Sequence, residues 1–432
     1  MSPEVVGVVG IFIMLALMAT GIWIGLAMGL VGFLGIVYIR GIEQALMMAG
    51  SIPYQNVAFY AISVVPMFVF MGLIISETGM GTDLYHTAHQ WIGQVRGGLA
   101  SATVIACALI AAITGNTYTG IIVMSKVAMP EMKKYGYDEA LATGSICSAA
   151  TMGILIPPSI AFVMYGILTE QPIGKLFIAG VIPGVLQAVF YVITIYTKCR
   201  LNPRLGPAGP KTSLKEKIVS LKGIWATLVL FLSVIGGIYG GIFTPTEAGA
   251  VGVLGSAVIA AVMRRFTWKT FYRSLRETVI MTGMILLILI GTFMFMHFMA
   301  VSRLPFAVGE WVVGLGVSKT VIIGGIIALY VVLGGPLPEL PLVMLTIPIF
   351  YPVIQRLGID PIWFGVIIVR MLEIGSISPP VGNNIFLMSG LSNVPIGTVY
   401  RGVMPFICAD VLHVALLLAV PSLALFLPNM MR

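Results

Sequence analysis

Two Pro-Pro pairs, Pro157-Pro158 in "GILIPPSIAF" and Pro379-Pro380 in "EIGSISPPVGNN", interrupt apolar runs and are flanked by Gly, Ser and Asn. A proline pair removes two backbone donors and stops a helix, so carbonyls on one side and N–H groups on the other lose their helical partners. Two more polar interruptions divide the runs just upstream, "TGNTYTG" at 114–120 and "GGPLPELP" at 334–341. Freed carbonyls together with hydroxyl and amide oxygens suit a small hard cation, and freed N–H groups suit an anion. The first set of candidate cation ligands is Thr114, Gly115, Asn116, Thr117, Gly153, Ile154, Ile156 and Ser159. The second is Gly334, Gly335, Gly375, Ser376, Ser378 and Gly382. Neither set holds a thiolate or imidazole, which indicates sodium rather than a transition metal. Asn116, Ser159, Glu339, Arg370, Asn383 and Asn384 are the candidates to face an anionic substrate.

Arg370 and Glu373 stand three apart on one helix, a turn ahead of the second break. Charges at membrane depth are functional candidates by default. Arg370 either offers positive charge to a carboxylate or sulfonate head, or is neutralised by Glu373 as an i, i+3 pair. Other polar residues read structurally. Asp138 and Asp360 are N-caps, and Thr244, Pro245 and Glu247 in "TPTE" make a capping box. His86 and His89 share a face of an amphipathic segment without a third metal ligand. Metal other than sodium, and any cofactor, is not expected.

The elements that must position these residues lie in lipid. Of 432 residues, 59% are hydrophobic and 9% charged, with mean hydropathy +1.04, whereas soluble domains carry about 25% charged residues. Apolar runs long enough to cross ~30 Å of hydrocarbon recur from end to end. The first, after Glu4, has no Lys or Arg ahead of it and is read as a span rather than a cleavable signal. The four cysteines have no paired spacing. No H-E-x-x-H, G-x-S-x-G or G-x-x-x-x-G-K-[ST] motif occurs, which argues against an enzyme or an ATP-driven pump. The expected fold class is an all-α polytopic membrane protein.

The chain is a duplication. At an offset of 222, Pro130 matches Pro352, Asp138 matches Asp360, Gly153 matches Gly375, Pro157-Pro158 match Pro379-Pro380, and Gly180 and Pro183 match Gly402 and Pro405. Each half reads as two spans (4–20 and 22–39; 224–243 and 246–263), a third (57–76; 278–300) and an amphipathic arm (80–96; 303–318). An interrupted run (98–129; 319–351), a span broken by Pro-Pro (138–169; 360–391) and a closing span (176–198; 402–428) follow. Interrupted runs of about 32 residues overshoot a bilayer as straight helices and are read as re-entrant hairpins. Each half then crosses five times, about ten spans plus two hairpins in all, and the odd count inverts the second half. With residue 1 outside, seventeen Lys and Arg fall inside and six outside, as the positive-inside bias requires. Inverted repeats with broken helices are how secondary transporters build a site at the midplane.

"GGLASATVIACALIAAITGN", "MPEMKKYGYD", "GILIPPSIAFVMYG", "GGIYGGIFTPTEAGAV", "IPIFYPVIQRLGIDPIWFGVI" and "EIGSISPPVGNN" resemble the large membrane subunit of tripartite ATP-independent periplasmic (TRAP) transporters across nearly the whole chain. The resemblance implies an elevator-type, sodium-coupled importer of small organic acids in the bacterial inner membrane. It implies two partners, a periplasmic substrate-binding protein and a small membrane subunit. It would place sodium at each tip with its neighbouring break. Two positions depart from the family pattern: Pro338 then Glu339 replaces Asp then Pro after the second tip, and Arg370 replaces an apolar residue. The expected division is 1–79 and 223–302 as scaffold and 80–96 and 303–318 as arms. The moving carrier is 97–200 with 319–432, and 201–222 is a basic cytoplasmic linker. A stand-alone sodium/anion symporter is the competing reading.

Overall fold

The computed structural model describes residues 1–432 apart from 210, 211, 315, 336, 380 and 432, and apart from the side chains of 56, 312 and 313. Pro380, a residue expected at the second break, therefore lies outside the described residues.

Every regular element among the described residues is helical. The first half contains α1 (Pro3–Ala19), α2 (Ile24–Arg40), α3 (Ile42–Val57), α4 (Val64–Glu77) and α5 (Met80–Ile92). It continues with α6 (Gly98–Thr114), α7 (Thr117–Lys134), α8 (Glu139–Thr151), α9 (Ile160–Thr169) and α10 (Ile173–Leu201). A short α11 (Leu214–Ser220) joins the halves. The second half contains α12 (Trp225–Tyr239), α13 (Pro245–Val262), α14 (Trp268–Ser302), α15 (Leu304–Gly314) and α16 (Lys319–Gly334). Then come α17 (Glu339–Arg356), α18 (Pro361–Ile377), α19 (Asn383–Ser392), α20 (Ile396–Ala419) and α21 (Ser422–Met430).

The repeat read from the prolines is thus a repeat of helices, with α7 and α17 starting at Thr117 and Glu339 and α8 and α18 at Glu139 and Pro361. It also governs packing. α2 packs on α14 as α13 packs on α4, α8 packs on α20 as α18 packs on α10, and α9 packs on α17 as α19 packs on α7. Each half lends its helices to the other, so neither forms a core alone. Small residues allow the closest of these contacts. A Cβ on Gly291 of α14 would lie 1.9 Å from the carbonyl oxygen of Gly25 on α2, and one on Gly402 of α20 would lie 1.9 Å from that of Ala140 on α8.

The two halves lead into the third span, expected at 57–76 and 278–300, differently. In the first half, α3 ends at Val57 and a 3-10 turn, Tyr60–Ser63, leads into α4. In the second, α14 runs unbroken for 35 residues. The cause is local: Pro66 sits in the first turn of α4, where its missing N–H is tolerated. The second half has Ile288 at the matching position.

The expected arms at 80–96 and 303–318 contain the helices α5 and α15; α5 has one polar and one apolar face, whereas α15 is apolar apart from Glu310. Within the expected linker, α11 is sealed by a Ser213–Glu216 capping box. It lies on α5, with Trp91 Nε1 donating to the Lys217 carbonyl at 3.1 Å. Tyr60–Glu77, α10, α13, α14 and α20 are each long and apolar enough to cross a membrane, and α1, α2, α6, α9 and α16 are shorter apolar helices beside them.

Candidate transport site

At the first interruption, α6 ends with Gly115 in the left-handed region (φ 60°). Asn116 is extended and caps α7, its Oδ1 accepting from the Tyr118 N–H at 2.7 Å. At the first break, α8 tightens into a 3-10 turn over Met152–Ile154, and Ser159 caps α9 by accepting from the Phe162 N–H at 3.2 Å. The Ser159 hydroxyl also donates to the Ile154 carbonyl. Tip and break touch directly. A Cβ on Gly115 would lie 2.2 Å from the Pro158 carbonyl oxygen, and one on Gly153 would lie 2.8 Å from that of Asn116. The expected residues Thr114 to Thr117 and Gly153 to Ser159 therefore form one cluster, with Ile156 turned against Gly184 of α10.

The second interruption has the same plan. Gly334 closes α16 and faces Gly375 of α18, where a Cβ on either would sit 2.7 Å from the other's Cα. Gly335 is nearest to Val381, at 3.6 Å from its ideal Cβ. Ser378 leaves α18 in extended conformation, and α19 begins after Gly382 (φ 49°). Ser376 Oγ donates to the Glu373 carbonyl at 2.7 Å and accepts from Asn384 Nδ2 at 2.8 Å. Asn383 Nδ2 and Asn384 Oδ1 have no partner among the described residues. Pro379 is exposed at the break.

The two sites meet at Glu339. Thr117 Oγ1 donates to Glu339 Oε2 at 3.2 Å, across a sequence separation of 222. The bond joins positions that match at the repeat's offset of 222. Ser376 and Asn384 of the second break face the same carboxyl. Its Oε1 has no partner among the described residues, and Glu339 is 7% exposed. In front lies a cavity of ≈ 670 Å³. One wall is the tips, with Gly115, Asn116, Tyr118 and Glu339, and the other is apolar, from the ends of α1 and α2 and the middle of α14. Of the residues expected to face substrate, Asn116 and Glu339 line this cavity, whereas Ser159, Asn383 and Asn384 do not. Sequence reasoning missed Tyr118 and Trp23, which also line it. Tyr118 stood in the flagged "TGNTYTG", while nothing in the sequence singled out Trp23.

Arg370 is corrected most. It does not line the cavity and is 0% exposed. It pairs with Glu373, as the i, i+3 spacing allows, and also with Asp410 of α20 at 2.6 Å. Tyr191 of α10 donates to both Asp410 oxygens at 2.8 and 3.0 Å, and Gln187 Nε2 donates to Glu373 Oε2 at 2.9 Å. A guanidinium enclosed by two carboxylates has no charge to spare for a substrate head. Asp410 was missed although the rule that flagged Arg370, an ionised residue inside an apolar run, applies to it equally.

This chain matches the family model of the tripartite ATP-independent periplasmic transporter, DctM component, over residues 11–423. It is 35% identical to the C4-dicarboxylate TRAP transporter large permease protein DctM of Pseudomonas aeruginosa, over 87% of this chain and 88% of that one. It is 30% identical to the isethionate TRAP transporter permease protein DctMQ of Oleidesulfovibrio alaskensis, over 88% of this chain and 61% of that longer protein. In fold it is similar to the Alcanivorax borkumensis YdaH transporter, with a TM-score of 0.66 at 15% identity over 89% of each chain. The protein with these paired tips and breaks is a member of the DctM family, the large membrane permease subunit of TRAP transporters.

Proposed function

We propose that this permease imports a small organic anion, a carboxylate, sugar acid or sulfonate, driven by sodium and delivered by a periplasmic substrate-binding protein. The observation that carries the reading is the cavity between the joined hairpin tips and the apolar wall of α1, α2 and α14. A site closed on one side by broken helices and on the other by a smooth apolar surface suits a carrier that slides past a scaffold. Neutral oxygens around Gly115 to Ser159 and Gly334 to Ser378 bind one sodium each, and sodium orders the tips before the anion enters beside Asn116.

In this reading α6 to α10 and α16 to α21 move together, α1 to α4 and α12 to α14 stay fixed, and α5 and α15 are the arms between them. The two halves are inverted, with about ten spans and two hairpins in a bacterial inner membrane. A small membrane subunit completes the complex, in keeping with the composite name DctMQ of one relative. No organic cofactor takes part.

Uptake into proteoliposomes decides the matter. With the small subunit and binding protein present, an inward sodium gradient drives accumulation, and omitting sodium abolishes it. Uptake that persists without sodium would overturn the coupling. Full uptake by this chain alone would establish a stand-alone symporter instead.

A further inference from the structure

The first turns of α14 carry a charged face that the transport site does not use. Lys269, Arg273 and Arg276 recur at i, i+4 and i+7, which places them on one side of the helix, with Trp268 and Tyr272 beside them. Together with Glu277 they line a groove of ≈ 550 Å³. Trp268 and Tyr272 are 79% and 60% exposed. Trp268 is held in place by stacking on Phe271, ring centroids 5.3 Å apart, and Phe271 meets the edge of Phe70 on α4.

The chain itself answers these cations weakly. Arg273 stands 3.9 Å from Glu77 and Arg276 stands 3.9 Å from Glu277, all four side chains open to solvent, so the pairs contribute little. Lys269 pairs with no carboxylate among the described residues. Helix length then fixes where the face lies. The 35 residues of α14 reach ~52 Å at 1.5 Å each, against ~30 Å of hydrocarbon, and every charged residue of the helix falls between Lys269 and Glu277. The surplus length is therefore the basic end, which stands among the lipid headgroups. Below it the exposed surface continues as Leu275, Val279 and Ile280. The matching positions of the first half, Met47, Ser51 and Tyr54 of α3, carry no charge.

We propose that this face binds an anionic phospholipid, with its phosphodiester on Lys269, Arg273 and Arg276, its glycerol against Trp268 and Tyr272, and an acyl chain along Leu275 and Val279. Charge and shape make the assignment together. Three cations against the single carboxylate of Glu277 leave the groove positive, and basic side chains at a membrane surface draw anionic headgroups. A zwitterionic headgroup would bring its own ammonium to the same cations. A free phosphate would meet the cations and leave the aromatic and apolar surface uncovered. Only an amphiphile covers all three layers.

Fluorescence of the full chain in phosphatidylcholine nanodiscs tests this, with dibrominated phosphatidylglycerol or dibrominated phosphatidylcholine as quencher at constant ionic strength. The Trp268 signal is the difference between the native protein and Trp268→Phe. Half-maximal quenching of that signal should need about tenfold less of the brominated phosphatidylglycerol. The triple variant Lys269→Gln, Arg273→Gln, Arg276→Gln, measured in the same paired way, should respond equally to the two lipids. Its melting temperature in pure phosphatidylcholine should be native, because the three side chains are exposed. Should the triple variant fail to fold, Arg273→Gln alone should reduce the preference about threefold, and Arg273→Lys should keep it. Equal quenching of the native protein by the two lipids, or a preference that survives the triple variant, would overturn the proposal. So would relief of quenching by millimolar inorganic phosphate, which would make the ligand a free anion, or by the small membrane subunit, which would make it a protein.

Discussion

The two breaks are built on one plan and carry different chemistry. Each joins a hairpin tip to a proline-interrupted helix, and at each a glycine is pressed against neighbouring backbone, Gly153 on Asn116 and Gly375 on Gly334. Behind the first stand Ser148, Thr151 and Ala188, whereas the matching positions behind the second are Arg370, Glu373 and Asp410. At the contact between them, Thr117 of the first half answers Glu339 of the second. The duplicated feature is a backbone shape, which tolerates many side chains as long as glycine and proline hold their places. The charges belong to one copy. A symmetric scaffold therefore frames an asymmetric cavity, as a site needs if it is to orient its cargo.

The strongest way to break the comparison is to remove the charge that distinguishes the second break. Arg370→Met leaves Asp410 buried without its cation, and thermal unfolding should show a loss of about 3–5 kcal/mol, the scale for stripping one partner from a buried pair. The triple variant Arg370→Met, Glu373→Gln, Asp410→Asn makes the second break neutral like the first and should recover most of that loss. Substrate affinity of the folded Arg370→Met protein should match the native value, because the guanidinium lies outside the cavity.

Next in size is the backbone contact. Gly115→Ala combines a left-handed φ of 60° with a Cβ 2.2 Å from the Pro158 carbonyl oxygen. It should cost about 1–3 kcal/mol and, where sodium drives uptake as proposed, weaken that coupling. At the second tip, Gly335 has φ −64° and a Cβ there would meet Val381 at an ordinary contact distance of 3.6 Å, so Gly335→Ala should leave stability and uptake near native. Equal damage at the two tips, measured by unfolding and by sodium-driven uptake, would contradict the difference in fit.

These contrasts also show what the sequence made legible. The repeat, the tips and the breaks could be read because glycine and proline act locally, and 222 residues separate Pro157 from Pro379 as they separate Thr117 from Glu339. The partner of Arg370 could not be read so directly. Glu373 lies on the same helix and its spacing suggests the contact, but Asp410 lies 40 residues away on another helix. Only packing of α18 against α20 brings the two together. The apolar wall of the cavity was hidden for a similar reason: Leu15, Met18 and Ile288 are ordinary span residues until the fold turns them towards Glu339.

Glu339→Gln tests the contact where the halves meet. The amide still accepts from Thr117 but removes the only carboxyl among the described residues that line the cavity. The sodium concentration for half-maximal uptake should rise about tenfold, equivalent to ~1.4 kcal/mol. Thr117→Val removes one hydrogen bond and keeps the charge, so its effect should be smaller, about 0.5–1.5 kcal/mol. If Thr117→Val proved the more damaging, the hydroxyl rather than the carboxylate would be the group that matters to the cation.

The smallest expected effect lies at a pair of helix starts with the same history. In α13, Thr244 and Glu247 cap each other, the Thr244 N–H donating to Glu247 Oε2 at 2.8 Å and the Glu247 N–H to Thr244 Oγ1 at 3.3 Å. In α2, the matching start at Trp23 makes no side-chain cap bond. Thr244→Ala should therefore cost ~1 kcal/mol, read as faster hydrogen exchange in the first turn of α13, with uptake unchanged. The α2 start should already exchange quickly in the native protein, because its first turn borders the cavity rather than a capping side chain. If both starts were protected alike, the open end of α2 would be covered by something other than its own sequence. If only α13 is protected, the same terminus has been sealed in the copy that faces away from the cavity and left open in the copy that faces it.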